Sequence, residues 1–94
     1  MKVLLDGAQI TDEAAFHTAM RGASGVDWYG GNLDALFDLL VGVVTEPVEI
    51  RWINAAASRA AIGERFDRIV AVIFDAIAYR DGHTRIRFSM ESAA

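Results

Sequence analysis

Two segments of strictly alternating character, Val48-Glu49-Ile50-Arg51-Trp52 and Arg85-Ile86-Arg87-Phe88-Ser89-Met90, most narrowly limit what this chain can fold into. Side chains alternate between faces along a strand, so each segment predicts a strand with one apolar and one wet face. Between them Phe66, Ile69, Val70, Ile73 and Ile77 recur at helical spacing. That stripe predicts an amphipathic helix from about Glu64 to Tyr79, preceded by a shorter alanine-rich helix around Ala55 to Ile62. Strands joined through helices favour parallel pairing with right-handed crossovers. Parallel strands covered on both sides would be apolar throughout, so the alternation places helices on one face only. Glu49, Arg51, Arg85 and Arg87 then form a solvated ladder of charges on the wet face, where exposed pairs are worth ~0 to 1 kcal/mol each.

The first half of the chain completes this pattern. Val3 to Leu5 is a short apolar run ended by Asp6-Gly7, which predicts a buried strand and a turn. Thr11 offers an N-cap, Asp12 and Glu13 suit a first turn, and Phe16, Ala19 and Met20 share one face of a helix ending near Arg21. Gly22 to Gly31 reads as a loop. Asn32 caps the next helix, on which Leu33, Leu36, Phe37 and Leu40 form an apolar stripe with Asp34, Asp38 and Val41 to one side. Gly42 reads as its stop. The order is strand, helices, strand, helices, strand: an α/β fold of two layers, a three-stranded parallel sheet packed on one face by about four helices. A chain of 94 residues, 53% of them hydrophobic, suffices for a single domain over residues 1–94.

The charge is unevenly distributed. Between Arg21 and Arg51 there is no Lys, Arg or His, while Asp27, Asp34, Asp38, Glu46 and Glu49 all fall there, giving -5 against -4 for the whole protein. Such a field repels nucleic acid and attracts a cationic partner, acting mainly on association rate. Within it, Asp34 and Asp38 stand four residues apart, a like-charge pair that costs an isolated helix roughly 0.2 to 0.5 kcal/mol. A partner outside the helix is the natural reason for keeping both.

Other function classes find little support. Two carboxylates on one helix face do not supply opposed acid and base, and there is no HExxH, no GxSxG and no cysteine. His17 and His83 lie far from the acids without metal-ligand spacing and read as surface or helix-end residues. Gly30-Gly31-Asn32 lacks the Lys-Ser/Thr of a phosphate loop, so no cofactor is expected. No run approaches the ~20 apolar residues of a membrane span, and the start is too short for a secretory signal, which predicts a cytoplasmic protein.

The segment Trp28-Tyr29-Gly30-Gly31-Asn32-Leu33-Asp34-Ala35-Leu36-Phe37-Asp38-Leu39-Leu40, followed by Gly42, Pro47 and Trp52, resembles the barstar family of ribonuclease inhibitors. The resemblance implies the same sheet and helices, and an intracellular protein that plugs the active site of a secreted guanyl-type, barnase-like ribonuclease as a monomer in a 1:1 complex. An immunity or regulatory module for a different nuclease toxin or cationic protein is the alternative. By position, Asp38 matches the aspartate that enters the phosphate pocket and Asp34 one that meets basic residues. Trp28 matches a contacting aromatic, Asn32 a capping residue that reaches the partner, and Tyr29 joins Trp28 in excluding water from the ion pairs. Phe37 stands for a larger aromatic, Val41 and Gly42 end the contact helix, and Asp67 matches an acidic contact on the long helix. Gly31 and Val43 depart from the glutamate and tryptophan of the best-known member. The family can hold a cis bond before Pro47.

Overall fold

The computed structural model describes residues 1–91. Strands β1 (Lys2–Asp6), β2 (Val48–Ile53) and β3 (Ile86–Met90) form one sheet in the order β1-β2-β3, with both pairs parallel. Among the described residues five helices accompany them: α1 (Glu13–Ser24), α2 (Leu33–Asp38), α3 (Ala55–Ile62), α4 (Glu64–Ala78) and α5 (Gly82–Arg85). α2 runs straight on into a π-helical turn, Leu39–Val43. The expected architecture is present. The helix beyond the four expected is α5, too short to show a periodic stripe.

The alternation does what the period of two requires. Val3, Leu5, Val48, Ile50, Trp52 and Ile86 are buried under the helices, while Lys2, Leu4, Arg51, Arg87 and Ser89 are exposed on the other face. β1 therefore alternates too: Leu4, expected inside a buried run, is 62% exposed. On the wet face Glu49 lies in register between Lys2 and Arg87, and Arg51 forks onto the Glu91 carboxylate at 2.9 and 3.1 Å. Arg85 leaves this ladder altogether, as described below.

Trp52 is the centre of the core. Its ring stacks on Phe16 at 5.4 Å and meets Phe66 edge-on at 4.9 Å, and its indole N–H donates to Ser58 Oγ at 2.9 Å. Ser58 donates onward to the Ile10 carbonyl at 2.7 Å, so this fully buried hydroxyl is satisfied and ties α3 to the segment before α1. Gly7 is required where β1 leaves the sheet. A Cβ there would stand 1.7 Å from the Asn54 carbonyl oxygen.

α1 differs at both ends from expectation. Asp12, not Thr11, is the N-cap, its Oδ1 accepting from the Ala15 amide at 2.7 Å. The helix continues past Arg21, through Gly22, to Ser24 and ends where Gly25 takes the left-handed region at φ 70° and its amide bonds the Arg21 carbonyl. No cis peptide bond occurs among the described residues, so Glu46–Pro47 is trans.

Candidate partner-binding face

α2 is built to expose its carboxylates. Gly31, at φ 69°, turns the chain, and Asn32 then caps the helix by accepting the Ala35 amide at 2.8 Å. Leu36, Leu39 and Leu40 are buried, which turns Asp34 and Asp38 into solvent. Among the described residues neither has an ion-pair partner within 4.0 Å. Two arginines do fold against this segment, yet both give their donors to the main chain. Arg21 Nη2 donates to the Tyr29 carbonyl at 2.8 Å. Arg85 donates to the carbonyls of Leu40, Val44 and Glu46, those of Val44 and Glu46 at 2.9 and 3.4 Å. The acidic charge is thus left free for an external cation.

Beside Asp38 lies a cleft of about 150 Å³, lined chiefly by Trp28, Tyr29, Gly30, Ala35, Asp38 and Val43. Trp28 is 73% exposed at its edge, whereas Tyr29 is only 4% exposed and forms its floor. The Tyr29 hydroxyl points inward, 2.5 Å from His17 Nδ1, and burial pushes its ionisation well above the ordinary phenol range. His17 is therefore a buried residue inside α1, not the surface or helix-end histidine expected. Its place beside Phe16, and three residues before Met20, was the available signal.

His17 Nε2 stands 2.9 Å from Glu13 Oε2, and Glu13 Oε1 accepts from Arg65 Nε at 2.6 Å. The Arg65 bond holds the Glu13 carboxyl below its ordinary range, against a smaller opposing effect of burial.

The acidic helix does not stop at Gly42. The Val44 amide bonds the Leu39 carbonyl at 2.9 Å, closing a π turn with Gly42 exposed inside it and Val41 half-buried. A helix end of this kind leaves carbonyls without intrahelical donors, and Arg85 supplies them. That side chain comes from more than forty positions away in sequence, so local pattern gave no sign of it.

Phe37 is half-buried and meets Tyr79 edge-on at 5.5 Å, which fixes the flank of α4 that faces α2. Asp67 is on a different flank, roughly 120° around the helix from Tyr79, and lies 3.7 Å from Arg59 of α3. Asp75, exposed and one turn before Tyr79, stands nearer that flank than Asp67 does. The structure thus brings together Trp28, Tyr29, Asn32, Asp34, Phe37, Asp38, Val41 and Gly42, but sets Asp67 apart.

A three-stranded parallel sheet, helices on one face and a capped acidic helix after an aromatic-glycine loop define a class of small α/β protein. The family model described as Barstar (barnase inhibitor) matches residues 1–91, and the chain belongs to this family, whose members are inhibitors and not enzymes. It is similar to the Bacillus subtilis (strain 168) protein named "Putative ribonuclease inhibitor YrdF", at 32% identity over 76 residues, 80% of this chain and 84% of that one. Among the described residues no helix is long and apolar enough to cross a membrane.

Proposed function

We propose that this protein inhibits a ribonuclease of the barnase-like class by covering its active site with α2. The observation that carries this reading is the pair Asp34 and Asp38, exposed and without an ion-pair partner among the described residues, with the exposed Trp28 lining the cleft beside Asp38. A ribonuclease holds RNA with cationic side chains around the scissile phosphate. Two carboxylates on a rigid helix occupy those positions through charge-assisted bonds and offer no bond to cleave. Trp28 and the cleft beside Asp38 keep water from the ion pairs, and Asp75 on the adjoining flank of α4 extends the negative surface. The complex is 1:1, formed in the cytoplasm of the cell that makes the nuclease, without direct contact to nucleic acid.

A second reading keeps the same face and changes the partner to another nuclease toxin or cationic protein. It is favoured by Val43, which lines the cleft where the best-known relative resembled by this sequence has tryptophan. The deciding experiment mixes the purified protein with a barnase-like ribonuclease and, separately, with the host's secreted ribonucleases, following RNA cleavage and complex formation. Inhibition at equimolar protein is expected. Undiminished cleavage of RNA by all of them at a large excess of the protein would overturn the ribonuclease assignment.

A further inference from the structure

His17 and Arg21 stand one turn apart on α1, and both reach the same residue of the loop before α2. His17 Nδ1 meets the Tyr29 hydroxyl at 2.5 Å, and Arg21 Nη2 donates to the Tyr29 carbonyl at 2.8 Å. The Arg21 guanidinium carbon also lies 5.8 Å from the Tyr29 ring centroid. The loop does little to hold itself: among the described residues one backbone bond, Tyr29 amide to Val26 carbonyl at 3.1 Å, closes it.

The direction of the proton chain follows from its far end. Glu13, bonded to Arg65, is ionised and can only accept, so His17 Nε2 carries a hydrogen toward it. In the neutral imidazole Nδ1 then accepts, and the Tyr29 hydroxyl donates to it. While the imidazole is neutral, each of these polar atoms has one role.

We infer that His17 is a positioning residue for partner binding: with Arg21 it fixes Tyr29, and so orders the loop that sets Trp28 beside Asp38 before any partner arrives. The functional consequence rests on the inhibitor reading above; the ordering itself does not. A loop already ordered loses less conformational freedom on association.

Amide hydrogen exchange on the free, full chain tests it. In His17→Leu the Tyr29 amide is expected to exchange about tenfold faster relative to the Leu5 and Ile50 amides of the sheet, as an unmade buried bond implies. Tyr29→Phe, which removes one oxygen and carries little risk to folding, is expected to show the same local effect. The double variant, with apolar groups facing each other, is expected to return the loop to within about threefold of the parent. Loop and sheet amides accelerating by one common factor in both single variants, or an unchanged loop, would overturn the inference, as would a double variant no better than either single one. Because no partner enters the measurement, failure of the nuclease assay with the parent protein counts against the inhibitor reading alone.

Discussion

Arg85, the last residue of α5, donates to the carbonyl of Leu40 in the turn that ends the acidic helix, although 45 positions separate them. The same guanidinium serves Val44 and Glu46, so one fork closes three main-chain acceptors. Arg85→Ala is expected to cost about 1.5 to 3 kcal/mol, the range for charge-assisted bonds whose partners are left unpaired. Arg85→Lys should recover little, because a point charge on a flexible stem cannot span the three carbonyls. Urea unfolding measures both; a loss under about 0.5 kcal/mol would place the arginine among ordinary surface residues.

Asp38 separates stability from binding. It lies one turn from Asp34, is exposed and has no ion-pair partner among the described residues, so Asp38→Ala is expected to leave stability unchanged or raise it by a few tenths, about 0.2 to 0.5 kcal/mol. Inhibition of the cognate ribonuclease should fall by about 10-fold to 150-fold, the equivalent of losing charge-assisted bonds of 1.5 to 3 kcal/mol. Thermal unfolding and RNA-cleavage titration of one sample test both halves. A variant that inhibits as well as its parent would remove Asp38 from the interface.

What could be read in the sequence was whatever repeats locally. The period of two in β2 and β3 and the stripe of α4 placed three of the main elements, and the α4 bounds, Glu64–Ala78, differ from expectation by a single residue. Asp34 and Asp38 were legible because a helix puts positions four apart side by side. The rest depends on tertiary partners. The turn at Leu39–Val43 is finished by Arg85, and His17 is drawn inside by Tyr29 and Glu13. Asp67 is matched to an acidic contact by the family resemblance alone, and the flank of α4 that faces α2 becomes visible only in the Phe37–Tyr79 contact.

Ser58 offers a second stability test, this time in the core. Its hydroxyl joins the Trp52 indole to the Ile10 carbonyl, and it is fully buried. Ser58→Ala removes one atom yet strands a donor and an acceptor, so a loss of about 1 to 3 kcal/mol is expected. Calorimetry with the Ser58→Ala and Ser58→Thr variants would measure it. A neutral Ser58→Ala would show that neither stranded group is held away from water.

Acid sensitivity should trace in part to Glu13. Its folded-state carboxyl titrates below the ordinary value of 4.5, first because of the Arg65 bond. A depressed carboxylate contributes stability that is present above the unfolded-state value and is lost as pH falls through the folded one. The parent should therefore lose stability more steeply than Glu13→Gln as pH drops below about 4.5, while Glu13→Gln should be the less stable of the two near neutrality. Denaturant midpoints across that range decide it; parallel pH profiles would mean that the carboxylate gains nothing from folding.

Salt tests which acids face the partner. Exposed charges act over a Debye length of about 10 Å at 0.1 M salt, so steering by an acidic face must fade as ionic strength rises. The association rate with the cognate ribonuclease is expected to fall by about tenfold or more between roughly 0.05 and 0.5 M salt. Asp34→Asn, Asp38→Asn and Asp75→Asn should each flatten that dependence. Asp67→Asn should change it little, because this carboxylate lies 3.7 Å from Arg59 and on a flank of α4 away from α2. Stopped-flow rates for the four variants distinguish the faces. A salt slope that responds to Asp67 and not to Asp75 would move the binding surface toward α3, and a flat slope in the parent would detach recognition from the acidic helix.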